Sequence, residues 1–559
     1  MARKKNANKP FVVFAFCGAV ALTAALAGAD TFTWHGPNDA VGSGTFGTAG
    51  NWFDSTGNRT QTIPGSADDV VVGNNGVNTW TAQTITFGGD AAVASMKVEG
   101  GNVRALGSVA YLNLALEGYT FNVAGQLYME GVQGWGGSQS GKCTIQNGTV
   151  NVASVQIGRA GEWSQGSGAL VVNGSGAKLN SAGEIMMEGP FTTFQVSDGA
   201  ELSGKDLTVA GQSANRSAIG GTGVERSTVS ISGSGTKVNL RGFALYHNVD
   251  ARISDGAVVT TTSWGYYRHG ASGTGLNIGS LNRVFYGNCV GGAWGGYGTW
   301  CGNYGTLVVD NATYTSNPRQ HFAVGCSRAA SGGSGATLTL QNNAKFDSGE
   351  FFVGVSIEDT SYNSTNNVLN VLSGSELEAS IMRVSQAGNS SFGKVNVSNA
   401  TVKCQQLLMG NFIKAGVINS NAWLTVSGSA PSITLSSTSA EAFKVRMGSQ
   451  IRFILPEDGF ASAPINVKGG VSIVADENDY AVDPVRLVID ANAFGKKHPQ
   501  EAVTLIECAT ASAESLQRLA DNLVFVDTPD RRKGTVAVIG GTKLVYTAPP
   551  PMGTKFIFR

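Results

Sequence analysis

The chain has 559 residues, with 39 Lys+Arg against 39 Asp+Glu and only 14% of its residues charged. That balance offers no electrostatic attraction for nucleic acid or an anionic membrane surface, so neither is an expected partner. Glycine supplies 76 residues and apolar residues make up 42% of the chain, which argues against disorder and points to many tight corners between short strands.

Taken from the N-terminus, Arg3, Lys4, Lys5 and Lys9 precede an almost wholly apolar run over 11–25, and small residues follow at Ala27, Gly28 and Ala29. This order predicts a secretory signal over 1–29, with Asp30 as the new N-terminus. A permanent anchor is the alternative, but the run is short for a membrane span and the small residues favour cleavage. Cys17 is preceded by Phe16, where a lipid-modification site needs a small residue. Removing the four basic residues of the leader leaves 35 basic against 39 acidic, a net charge of −4. No later stretch is apolar for long enough to span a bilayer, so no transmembrane segment is expected in the mature chain, which is read as exported to the cell surface, the medium or the periplasm.

A cap with the first strands is expected over 30–90, where Thr33-Trp34, Asn51-Trp52 and a turn at 64–70 with Asp68 and Asp69 lead into Val70, Val71 and Val72. Over 91–447 one phrase recurs: an apolar residue, any residue, a second apolar residue, then Asn, Asp, Ser or Gly. Its copies are Cys143-Thr-Ile145, Leu170-Val-Val172, Phe194-Gln-Val196, Val229-Ser-Ile231, the weaker Ala251-Arg-Ile253, Leu307-Val-Val309, Leu338-Thr-Leu340, Leu369-Asn-Val371, Val395-Asn-Val397 and Leu424-Thr-Val426. Successive copies lie 22 to 35 residues apart, except for 56 residues between Ile253 and Val309, which read as one degenerate turn or a large loop. A second phrase closes most units on an apolar residue and glycine, as at Ile157-Gly158, Val324-Gly325, Val353-Gly354 and Met409-Gly410. Period-two strands ended by residues that tolerate positive φ make a coil, and one coil cannot bury its own apolar side, so coils must stack. The predicted fold is therefore all-β: a single-stranded parallel β-helix, or β-solenoid, with two short strands per unit, Gly/Asn/Asp corners and a cap at each end. A β-sandwich is the alternative, but it would place hairpin-joined strands at closer spacing.

The longest loops expected are 211–223, 264–275, 288–305, 328–335 and 358–367. A C-terminal β-rich cap is expected over 448–559, with one short helix at 513–519. The Trp34, Trp52, Pro64, Asp68-Asp69 opening and the two strand phrases resemble those of secreted bacterial β-helix proteins with autotransporter-associated β-strand repeats. That resemblance covers most of the mature chain and implies a passenger-like surface protein, although the translocator barrel of a true autotransporter is missing.

Residues that carry chemistry are sparse, and no catalytic constellation, metal site or cofactor is expected. Asp68-Asp69 reads as a turn, the acidic run 476–479 as a solvated loop, and the five histidines lack metal-ligand spacing. The most suggestive segment is 264–304, which gathers Trp264, Tyr266, Tyr267, Arg268, His269, Trp294, Tyr297, Trp300 and Tyr304. Such rings either stack on sugars beside Arg and His donors or pack over an enlarged loop. Cys289 and Cys301 bracket part of it and form either a disulfide or two separate buried thiols. The expected function is an exported structural or adhesive surface protein whose loops hold polysaccharide or other cell-surface components. The alternative is a carbohydrate-active β-helix enzyme resembling a polysaccharide lyase.

Overall fold

A computed structural model describes residues 29–551 except 38–42, 74–82, 100–110, 131–140, 159–167, 188–191, 210–225, 246–248, 263–287, 293–304, 317–320, 328–334, 357–362, 387–389, 411–420, 447, 475–483 and 527–532. Alternation sets its elements, because a strand turns successive side chains to opposite faces. Leu369 and Val371 are fully buried, for example, while Asn370 between them reaches solvent. Strands stop where the backbone must turn. Asn147, Asp198, Asp255, Asn311 and Asn399 take φ of 48°, 58°, 57°, 47° and 49°, the left-handed region that Asn and Asp tolerate better than other residues with a side chain.

The chain is a parallel β-helix. Its register is the recurring phrase itself: Ile145 pairs with Val172, Val172 with Val196, Val196 with Ile231 and Ile231 with Ile253. The column continues through Val309, Leu340, Val371, Val397 and Val426. Ile253 pairs directly with Val309, so the long interval between them is a single coil with a large insertion. Parallel pairing passes beyond residue 447 without a break, through Phe453 and Ile489 to Phe525.

Each coil has three sides, where the sequence led us to expect two strands per unit. The first face carries the column just traced. The second carries Val150, Leu179, Leu202, Val238, Val259, Tyr314, Phe346, Leu377 and Val402. The third includes Leu127, Val155, Ile185, Leu207 and Phe243, and farther along the stack Phe322, Phe351, Met382 and Leu407. Second-face strands such as Lys345–Asp347 and Glu376–Glu378 are three residues long, too short for alternation to show beside a tight corner. Lys142–Ile157, with 16 residues, runs around all three sides. The three columns face one another and form one continuous core. Within it Tyr314 stacks on Phe346 at 4.4 Å between centroids, and Phe322 on Phe351 at 5.7 Å.

At the N-terminal end Thr31–Trp34 pairs in parallel with Asp69–Val72 and antiparallel with Trp52–Phe53. Trp34 and Trp52 are fully buried against each other edge to face, 4.9 Å apart, and Trp52 Nε1 donates to Phe46 O. At the other end Ala502–Cys508 leaves the parallel stack by pairing antiparallel with Lys543–Thr547, which in turn pairs with Thr535–Ile539. Helix α1 (Asn492–Lys497) was not foreseen, since six residues are too few to show a period; helix α2 (Ala513–Asp521) covers the predicted short helix. Among the described residues no helix is long and apolar enough to cross a membrane.

Candidate functional site

Outward positions of a solenoid line up as ladders, one side chain per coil about 4.8 Å from the next. On the first face Thr339, Asn370, Asn396, Thr425 and Arg452 form one such ladder. Asn370 Nδ2 donates to Thr339 Oγ1 at 3.2 Å, and Asn396 Nδ2 donates to Asn370 Oδ1 at 2.7 Å. Arg452 lies 3.5 Å from the Asp490 carboxylate. The parallel ladder two residues earlier holds Lys394, Trp423 and Gln450.

On this stretch of the first face Trp423 is an exposed aromatic among polar side chains. Leu424 and Val426 point inward, so the period of two turns Trp423 outward with Thr425. It is 36% exposed, whereas Trp34 and Trp52, the other tryptophans among the described residues, are fully buried. Phe392 meets its ring edge to face at 4.8 Å, which props the indole without covering it. An aromatic face flanked by amides, hydroxyls and a lysine is suited to a sugar: the ring packs against sugar C–H groups while the neighbours bond hydroxyls.

No family model, curated protein or solved structure matches this chain. The site must therefore be judged on its own chemistry. Trp423 escaped the sequence reading because it sits inside a regular strand, while the eye is drawn to aromatics gathered in a loop. Alternation alone would have found it, since any aromatic one residue before the Leu-x-Val phrase must face out.

Of the residues singled out from sequence, Trp264, Tyr266, Tyr267, Arg268, His269, Trp294, Tyr297, Trp300, Tyr304 and Cys301 lie outside the described residues. Cys289 falls on the strand Asn288–Gly292, on the third face between Ala244 and Ala323 in register. The insertion therefore contributes one regular strand to its coil. The Cys289–Cys301 pairing also lies outside the described residues. Asp68 braces its turn by accepting the Gly65 and Asp30 backbone N–H groups at 2.8 and 3.2 Å, and Asp69 accepts the Ser95 hydroxyl.

Several charged side chains on the outer faces meet an opposite charge one coil away. Lys178 pairs with Glu201 at 2.9 Å, Arg226 with Asp250 at 2.5 Å, and Lys403 with Glu376. Asp310 accepts hydrogen bonds from Gln341 at 2.9 Å and Asn342 at 2.7 Å and pairs with Arg252. The Gln341 bond, then the Asn342 bond and the Arg252 charge, hold its carboxyl below the usual range against the opposing effect of burial. On the third face Glu350 and Arg383 are both largely buried, 3.4 Å apart, and His321 Nδ1 accepts the Glu350 backbone N–H at 3.2 Å. Cys143, Cys404 and Cys508 are buried free thiols. Burial pushes Cys143 and Cys404 up to about 12, far from a thiolate nucleophile at neutral pH.

Proposed function

We propose that this chain is an exported structural or adhesive β-solenoid, passenger-like in the manner of autotransporter-associated repeat proteins, which holds carbohydrate on the outside of its first face. Trp423 carries the reading: it is a 36% exposed ring set among outward ladders of hydrogen-bonding side chains instead of over the core. The charged leader and apolar run of the sequence support export. Cross-coil ion pairs support a scaffold, because paired charges brace neighbouring coils and leave fewer groups free for acid or base work.

A lyase-like enzyme is the second reading, favoured by Glu350, Arg383 and His321 on adjoining coils of the third face. Glu350 and Arg383 neutralise each other there, which makes the pair a better brace than an acid and base. The two readings separate on a polysaccharide and glycan panel scored for both retention and release of product. Retention without cleavage, weakened about tenfold in Trp423→Ala at unchanged thermal stability, is the expected result; a stacking ring contributes roughly 1 kcal/mol or more. Cleaved product from the parent protein, lost in Arg383→Ala, would replace this reading with the enzymatic one, and undiminished retention in Trp423→Ala would remove the first-face site.

A further inference from the structure

The C-terminal cap carries a partly open cavity of about 300 Å³ whose walls include Asn492, Lys496, Phe525, Tyr546, Pro549 and Pro551. Three elements build it. Helix α1 supplies Asn492 and Lys496, four residues apart and so on one helix face. Leu523–Phe525, the last parallel strand of the first face, supplies Phe525. Lys543–Thr547 supplies Tyr546, and the chain then turns into the proline run that closes the remaining wall.

Tyr546 is 1% exposed, with its ring 6.3 Å from Phe525 and 6.4 Å from Phe494. Its hydroxyl lines the cavity and has no hydrogen-bond partner among the described residues. No protein acceptor takes up this donor, so a ligand acceptor in the cavity can engage it in place of water. Lys496 is exposed and has no acidic partner among the described residues, whereas the adjacent Lys497 is held by Asp458 at 2.5 Å. Gly495 keeps the α1 wall low, since a Cβ there would come within 3.6 Å of Pro549.

Ring and proline walls, the Tyr546 hydroxyl and the Lys496 ammonium, beside the Asn492 amide, together suit a flat-faced ligand with an acid group. We propose that the cavity binds a small carboxylate carried on a ring: the ring packs against Phe525 and the prolines, and the carboxylate accepts from the Tyr546 hydroxyl and the Lys496 ammonium. Such a ring acid is either a uronic acid at a glycan end or an aromatic acid. The site is separate from Trp423 and does not depend on carbohydrate binding there.

Saturation-transfer NMR on the purified chain tests this with glucuronate and 4-hydroxybenzoate, and with glucose and benzyl alcohol as neutral counterparts. At least one acid should bind, about tenfold or more tighter than its neutral counterpart, and which of the two binds assigns the source. Tyr546→Phe, which removes only the hydroxyl, and Lys496→Ala should each weaken binding about tenfold without lowering the melting temperature. Gly495→Leu should abolish it by filling the cavity while every wall side chain stays in place, and Trp423→Ala should leave it unchanged. Absence of transfer from both acids, equal binding of neutral and acidic probes, or unchanged binding in Tyr546→Phe would overturn the proposal.

Discussion

Val371 pairs with Leu340 below and Val397 above, and all three are fully buried. Val371→Asp forfeits roughly 1.5–3 kcal/mol of apolar burial and adds an unpaired buried charge. Its denaturant midpoint should fall sharply; a midpoint equal to that of the parent would refute the register. Thiols give a second test. With Cys143 and Cys404 pushed up to about 12 by burial, iodoacetamide should leave both unmodified in native protein and alkylate both after unfolding, as read by mass spectrometry. Asp310 titrates in the opposite sense, below its ordinary 3.8. Its contribution to stability is therefore complete above that ordinary value and disappears as pH falls through the lower folded one. Asp310→Asn should melt below the parent at about pH 7, and the gap should close as the pH is taken below the ordinary 3.8. A gap that persists in acid would mean that the cluster acts through shape and not charge.

At the scale of elements, corners decide the coil. Gly325, closing the third face, has φ of 70°, and a Cβ there would collide with the Asn367 side chain, whose Oδ1 accepts the Ala336 N–H at 3.2 Å. Gly325→Ala should cost about 1–3 kcal/mol through strain and displacement of Asn367, visible as a lower melting temperature. The first-face columns were legible in the sequence because a Leu-x-Val phrase and an Asn or Gly corner repeat together. Second-face strands were not, since Lys345–Asp347 follows the Asn342-Asn343 corner too closely for its own alternation to stand out. Helix α1 was hidden for the same reason, with Phe494 as its one fully packed side chain. Trp423 was readable in principle from strand parity. The Tyr546 cavity was not, because α1, Phe525 and the proline run meet only in three dimensions.

The described residues form one core without an interior boundary, so stability is a sum of coil-to-coil contacts along the stack. Strands of the stack find their parallel partners one coil earlier and one coil later, and antiparallel strands pair with part of the sheet at each end. Pulled by its two ends, such a chain behaves as a rope instead of a brick: tension peels the outermost coil, and each rupture pays out one turn of slack before the next coil bears load. A coil of the 31-residue spacing between Val309 and Leu340 would release about 100 Å of contour. The coil spanning 56 positions between Ile253 and Val309 would release about 190 Å. A force trace whose teeth follow coil lengths of 22 to 35 residues, broken by one longer tooth, would be the mechanical signature of that inserted turn.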